Sequence, residues 1–175
     1  LFALEQVRLE RVRLQFGARY EHTGYSPAGA PARSFDGLSA AAGANVPLWN
    51  GGALAVNYTR SYRAPALEEL YNYGPHAGNL TFEIGNSGLN RELGNGIDAA
   101  VRHEGRRVRG EANLFYYRLD DFVYLAPTGR IEEGLVEAEY RQAGARYTGG
   151  EARASVLLLP ELWLNLGVDA VNARL

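Results

Sequence analysis

The sequence predicts an all-β fold, namely an antiparallel section of a transmembrane β-barrel with about eight strands. Between Leu54 and Tyr62, one face reads Leu, Val, Tyr, Arg and Tyr, whereas the other reads Ala, Asn, Thr and Ser. A period of two indicates a β-strand whose faces meet different surroundings. In addition, short and long connections alternate along the chain, and aromatic residues gather near the predicted strand ends. Together these observations are typical of a wall between lipid and a polar lumen.

Composition limits the classes of protein that the chain can represent. Its 175 residues have a net charge of −2, so no basic field attracts nucleic acid. There is no cysteine, which excludes disulfides and thiolate metal sites. No run approaches the ~20 apolar residues of a membrane helix. The chain begins in strand-like sequence at Leu1 without a leader peptide, and we expect a section of a longer chain.

Eight stretches are predicted as strands because they alternate, or are rich in β-forming residues, and end at turn signals. In chain order they cover residues 2–8, 11–22, 34–46, 52–63, 91–103, 107–124, 139–158 and 161–171. Along the seventh predicted strand, 139–158, the apolar residues move from odd to even positions at Gly149 and Gly150. This change predicts a β-bulge there.

The alternation also predicts which side chains share a face of the sheet. We expect an outer, lipid-facing set that consists of Val12, Leu14, Leu54, Val56, Leu114, Leu164 and Leu166. We expect a polar set on the opposite face that includes Arg13, Asn57, Glu111 and Asn165.

The connections predict the orientation of the strands in the membrane. Four are short, at 9–10, 47–51, 104–105 and 159–160, and three are long, at 23–33, 64–90 and 125–138. Short turns on one side and long loops on the other are typical of bacterial outer-membrane barrels. The longest loop, 64–90, should be external and begin with a short helix near Pro65 to Tyr71, because proline suits a helix start and good helix formers follow it.

Several motifs resemble segments of one family. Residues 61–71, SYRAPALEELY, and 84–92, IGNSGLNRE, resemble the "FRAP…EL(F/Y)" and "GNPxLxPE" segments of TonB-dependent outer-membrane receptors. Residues 115–124, FYYRLDDFVY, and 142–151, QAGARYTGGE, are similar to two later strands of that family. Residues 73–86, which contain YGPH and TFEIGN, resemble the branch implicated in zinc uptake.

The resemblance implies a larger protein than the chain itself. Transporters of this kind close ~22 strands around a plug, so residues 1–175 correspond to a partial barrel domain that lacks the plug and the earlier strands. It implies an outer-membrane location in a Gram-negative-type bacterium. It further implies as partners the membrane lipid, the plug of the same full-length chain, and the TonB energy-coupling protein reached through the missing N-terminal part. The implied function is import of a scarce metal, zinc first, as the ion or a chelate, with siderophore, haem or cobalamin as alternative cargo.

Candidate site residues lie in the longest loop. His76 and Glu83 are the candidate metal ligands, since zinc favours imidazole and carboxylate donors. Metal would be transported cargo, and no resident cofactor is expected. Candidate residues for substrate contact are Arg63, Glu68, Glu69, Tyr71, Tyr73 and Phe82. Each also has a structural interpretation: Arg63 can pair with a loop glutamate, and the aromatic rings can pack the loop against itself.

A function of another class would be a small outer-membrane barrel that acts as an enzyme or an adhesin. An enzyme needs a nucleophile–base pair or two converging carboxylates. Asp120 and Asp121 are the only adjacent carboxylates at a strand end, and consecutive strand residues point to opposite faces. We therefore predict that the chain is not an enzyme.

Overall fold

A single open sheet with one short helix makes up the computed structural model, which describes all residues from 1 to 175. The elements are β1 (Phe2–Arg8), β2 (Arg13–Tyr25), β3 (Arg33–Trp49), β4 (Gly52–Arg63), α1 (Leu67–Tyr71), β5 (Tyr73–His76), β6 (Thr81–Ile84), β7 (Glu92–Glu104), β8 (Val108–Glu132), β9 (Leu135–Leu159) and β10 (Leu162–Arg174). The predicted all-β class is confirmed. None of the chain's helical structure has the length and apolarity to cross a membrane.

The order of strands explains the shape of the sheet. β1, β2, β3, β4, β7, β8 and β9 are neighbours in that order, and each is antiparallel to the next. Two elements then share the free edge of β9: β10 pairs with residues 146–159, and β6 pairs in parallel with residues 136–139. β1 and β10 do not pair with each other, so the sheet remains open.

The predicted loop at 125–138 is wrong. β8 and β9 run through it and meet at a two-residue turn, Glu133-Gly134, whose φ angles of 51° and 80° are those of a tight hairpin turn. A register shift between Pro127 and Ile131 accommodates Pro127 and Gly129 within the hairpin. The β8–β9 hairpin is therefore much longer than its neighbours.

The predicted bulge at Gly149 and Gly150 is also wrong. Both glycines pair in register with β8, and the irregularity lies in β8 itself, where Asp121 has a φ of 56°. Gly149 is needed for space: a Cβ there would stand 2.6 Å from Cζ of Phe115. The missing side chain of Gly149 therefore makes room for the Phe115 ring in an unbroken register, without an inserted residue.

The predicted short helix after β4 is confirmed, although its start differs. α1 begins at Leu67, with Ala66 as the N-cap, so Pro65 lies two residues before the helix. The rest of the loop holds a hairpin, β5–β6, that the sequence did not predict. This hairpin extends the β8–β9 sheet sideways through the parallel β6–β9 pair.

The two faces divide as the alternation predicted. One row of paired residues runs Leu14, Ala44, Val56, Ala99 and Leu114 across five strands. By the same registers this apolar face includes Leu54, Leu164 and Leu166, and the polar face includes Arg13, Asn57, Glu111 and Asn165. Val12 lies just before β2.

Burial separates the chain into two regions. We call residues 64–90 together with 120–145 the platform, and the remaining strand segments the wall. Most fully buried side chains belong to the platform, including Leu70, Phe82, Glu83, Leu89 and Val123. Two residues at the wall's upper end, Phe35 and Tyr62, complete its apolar cluster with Leu70, Leu89 and Val123. The platform therefore has a core, whereas the wall leaves its apolar face uncovered.

Candidate functional site

A buried carboxylate lies at the centre of the platform. Glu83, on β6, is 1% exposed, and three groups donate hydrogen bonds to it. The Asn79 amide (2.8 Å) and the Thr81 hydroxyl (3.2 Å) reach Oε1, and the Tyr140 hydroxyl (2.7 Å) reaches Oε2. A buried carboxylate is tolerated when such donors satisfy it. This network holds the β5–β6 hairpin on β9.

Tyr140 is a stable donor in this network. Burial, and then the hydrogen bond to Glu83, raise the pKa of the Tyr140 phenol above its ordinary value of 10.0. The phenol therefore stays protonated at physiological pH and continues to donate to the carboxylate.

His76 is the accessible member of the same cluster. Its side chain is 51% exposed, and its Nδ1 lies 3.7 Å from Glu83 Oε1. Nδ1 also hydrogen-bonds Asn79 Oδ1. Because the Asn79 amide nitrogen donates to Glu83, the amide oxygen faces His76 and accepts the proton of Nδ1. In that tautomer Nε2 keeps a free lone pair.

Arg63 lies at the base of the platform, where β4 leaves the wall. Its guanidinium binds Glu92 through two bonds, Nε–Oε2 at 2.5 Å and Nη2–Oε1 at 2.7 Å, and it binds Glu69 on α1 at 2.9 and 3.0 Å. Glu69 also accepts the Ala66 amide, and Glu92 accepts the Val123 amide. Hydrogen bonding to Glu92 is the main cause that raises the pKa of Arg63, so it is always charged. Arg63 therefore joins the wall to the platform.

The other candidate residues have different surroundings. The side chain of Glu68 is exposed and makes no hydrogen bond, whereas the side chain of Glu69 is bound by Arg63. The hydroxyl of Tyr71 donates to the Pro31 carbonyl at 2.7 Å, which ties the β2–β3 loop to α1.

The remaining two candidates, Tyr73 and Phe82, pack against each other. Their rings are edge to face, with centroids 5.2 Å apart. Phe82 is 3% exposed, whereas Tyr73 is 74% exposed. Only the tyrosine ring is therefore open to a ligand.

The sequence did not assign several residues of this site. Tyr140 and Asn79 hold Glu83, and Gln142 bonds the backbone of Asn90 and Asp121. Tyr140 is 57 residues from Glu83, so no local spacing could have paired them. The only feature of the sequence that pointed to this region was the family motif at 142–151, which begins two residues after Tyr140.

The metal candidates form a pair in this structure. His76 and Glu83 are adjacent, and no group of three or more His, Cys, Asp or Glu side chains is arranged to hold a metal ion. A metal bound at this pair would need further donors, which water, a chelator or other parts of a full-length protein can supply.

Comparison with known proteins identifies the architecture. Residues 1–173 match the model of the family described as "TonB dependent receptor-like, beta-barrel". Among solved structures, the chain is similar to the copper transporter OprC, with a TM-score of 0.83 and 18% identity over 99% of this chain and 28% of that one. It is similar to the FrpB iron transporter from Neisseria meningitidis, with a TM-score of 0.74 and 15% identity over 99% of this chain and 25% of that one. It is also similar to the siderophore receptor PirA from Pseudomonas aeruginosa, with a TM-score of 0.75 and 14% identity over 98% of this chain and 31% of that one. The chain thus spans between a quarter and a third of each of these three proteins.

Proposed function

The chain belongs to the TonB-dependent receptor β-barrel family, and we propose that the full receptor imports a scarce transition metal, zinc first, as the ion or a small chelate. The family consists of outer-membrane transporters of Gram-negative bacteria, which places the apolar face of the wall against lipid. In this proposal the plug and the remaining strands belong to other parts of the full-length chain, and TonB supplies the energy.

The observation that carries the proposal is the orientation of His76. Metal-binding histidines usually donate their second ring N–H to a carboxylate or carbonyl oxygen, which fixes the tautomer and the ring position. Here Nδ1 is held by Asn79 and lies 3.7 Å from Glu83, while the ring is half exposed. The free Nε2 is therefore a prepared donor for a borderline metal such as zinc.

Glu83 would act through His76 in this arrangement. Its oxygens are occupied by Asn79, Thr81 and Tyr140, and the side chain is almost fully buried. We infer that it orients the imidazole and keeps negative charge beside it. A single exposed imidazole captures metal weakly, which suits a transporter that must release its cargo.

The test is zinc uptake by cells that carry the intact receptor. His76→Ala should lower radioactive zinc uptake at limiting zinc, and Asn79→Ala, which frees the ring, should weaken capture about 10- to 100-fold. His22→Ala is the matched control, because the His22 side chain is similarly exposed, 58% against 51% for His76, but pairs with Asp36 at the edge of the wall. If the wild-type receptor supports growth on haem or a siderophore without importing zinc, the zinc proposal is wrong. If zinc enters normally in His76→Ala, the ligand assignment is wrong.

A chelate cargo is the second candidate. Tyr73 carries a 74% exposed ring on β5, the strand that also carries His76. A flat aromatic or haem-like ligand could stack on this ring. Tyr73→Ala should then reduce uptake of the chelate and leave uptake of the free ion unchanged, whereas equal uptake of the chelate by both receptors would remove this candidate.

A further inference from the structure

Four arginines form a row across neighbouring strands on the lipid-facing side of the wall. Arg60 on β4 pairs with Asn95 on β7, which pairs with Arg118 on β8. Arg118 pairs with Arg146 on β9, and Arg146 pairs with Arg174 on β10. All four arginine side chains are exposed. We call Arg60, Asn95, Arg118, Arg146 and Arg174 the arginine row.

The row lies at the external border of the apolar band. The next lipid-facing row, one step closer to the membrane centre, contains Tyr58 and Tyr116, and we call it the tyrosine row. The rows beyond it contain mainly aliphatic residues and alanine. The Tyr58 hydroxyl points toward the arginine row and donates to Oδ1 of Asn95 at 2.9 Å. Tyrosines occupy the level of the headgroups in membrane barrels. The arginines therefore stand at or just above the headgroups of the external leaflet.

From β4 to β10 the opposite face carries no charged residue at this level, whereas on β2 it carries Arg19, which is paired with Glu21. The adjacent rows on the polar face contain Thr59, Gly96 and Tyr117 below, and Ser61 and Gly94 above. The concentration of arginine is thus confined to the side that meets lipid.

The charge of the row is poorly compensated within the chain. Only Arg118 has an ion pair, with Asp120 at 3.0 Å, and Arg174 bonds the amide of Asn172. Arg60 and Arg146 make no ion pair. Like charges directly opposite each other on neighbouring strands destabilise a sheet, so this row needs an anion from outside the chain.

Phosphate fits the row in both charge and spacing. Adjacent strands lie ~4.8 Å apart, so Arg118, Arg146 and Arg174 can hold one or two phosphate groups between them. Guanidinium groups bind phosphate through two parallel hydrogen bonds.

We propose that the arginine row binds the phosphate groups of the glycolipid of the outer leaflet. The headgroup would lie along Arg118, Arg146 and Arg174, and its acyl chains would descend past Tyr116 along the apolar face. Asp120 would fix Arg118 in position. This site is separate from His76 and does not depend on the cargo.

The test measures binding of fluorescent, doubly phosphorylated lipid A to the intact receptor in a nonionic detergent. The double variant Arg146→Gln/Arg174→Gln should bind about 10- to 30-fold more weakly, because each arginine near an anionic surface contributes about fivefold. The control is Arg13→Gln/Arg153→Gln, which removes two arginines from the polar face and should bind like wild type. Heat-modifiable migration on gels checks that both variants fold.

Three outcomes would overturn the proposal. The double variant could bind lipid A as tightly as wild type, or wild type could bind dephosphorylated lipid A equally well. Alternatively, inorganic phosphate could displace the lipid as efficiently as unlabelled lipid A, which would make the row a site for free phosphate. If the double variant does not fold, the salt dependence of wild-type binding decides: affinity that is insensitive to salt excludes a phosphate–arginine contact.

Discussion

In the wall, Leu114 and Val168 are 70% and 68% exposed, whereas in the platform the carboxylate of Glu83 is only 1% exposed. The wall is stable with its apolar face uncovered because lipid takes the place of a core. The platform projects into water, so it must bury apolar side chains such as Leu70 and Leu89 and satisfy every polar group that it buries with them. The two regions therefore differ in what a substitution costs: charge is critical in the wall, and shape and hydrogen bonding are critical in the platform.

The largest expected effect comes from placing a charge on the lipid-facing side of the wall. Val101 lies in the same row as Leu54, between the tyrosine row and the Trp49–His103 contact at the opposite border. We expect Val101→Arg to lower the free energy of unfolding of the intact receptor in phospholipid vesicles by about 2–4 kcal/mol. Glu151→Arg, on the lumen-facing side, should have a much smaller effect. Equal losses in urea unfolding would mean that the two faces are not distinct.

The second largest effect concerns Arg63, whose ion pairs connect the wall to the platform. Arg63→Ala removes the partner of Glu69 and Glu92, whose side chains are only 17% and 13% exposed. We expect a local loss of about 2 kcal/mol, seen as faster hydrogen exchange at the Val123 amide and faster proteolysis within 64–90.

The control for Arg63 is Arg102→Ala in the wall. Arg102 and Glu111 are 59% and 42% exposed, so this ion pair contributes about 0–1 kcal/mol. If Arg102→Ala loosened the platform as much as Arg63→Ala, Arg63 would not be a specific joint.

A third comparison tests packing within the platform. A Cβ at Gly85 would lie 2.6 Å from the backbone nitrogens of Tyr71 and Asn72, whereas a Cβ at Gly74 would meet nothing within 4 Å. Gly85→Ala should therefore cost about 1–3 kcal/mol by displacing α1, and Gly74→Ala should cost little. Protease sensitivity of the loop measures both. Comparable sensitivity in the two variants would contradict close packing at Gly85.

The smallest effect is a pH dependence at the tip of the β8–β9 hairpin. Hydrogen bonds from Arg130, and then from Thr128, hold the pKa of Glu137 below its ordinary value of 4.5. Because the pKa is lower in the folded state, the stabilisation is complete above pH ~4.5 and is lost as the pH falls through the lowered pKa. The protection factor of the tip amides, which is the exchange rate corrected for its intrinsic pH dependence, should fall in acid for wild type but not for Glu137→Gln, while the wall below stays protected. A variant with the same acid response as wild type would exclude Glu137 as the cause.

Alternation alone was sufficient for the wall. The predicted bounds of the first and fourth strands, 2–8 and 52–63, coincide with β1 and β4, and the two predicted faces hold on β2, β4, β8 and β10. The reason is that the signal is local, since residues i and i+2 of a strand share a face whatever lies beside it. The environment, lipid or water, then selects which face is apolar.

The platform could not be derived in the same way. Residues 125–138 are predicted as a loop, whereas the chain continues there as a hairpin, because a bulge can absorb turn-forming residues such as Pro127 and Gly129 once a neighbouring strand fixes the register. Glu83 was recognised as a candidate, but its burial depends on Tyr140, which reaches it only through the parallel pairing of β6 with β9.

The arginine row also depends partly on local sequence and partly on long-range strand pairing. The sequence by itself placed Arg60, Arg118 and Arg146 on predicted strands, whereas Arg174 lies beyond the last predicted strand, 161–171, and within β10. Only the tertiary structure decided that they are level with one another, because register between strands depends on turns, bulges and pairing along the whole sheet. Local periodicity thus determined the strands and their faces, and the long-range pairing determined which charges meet.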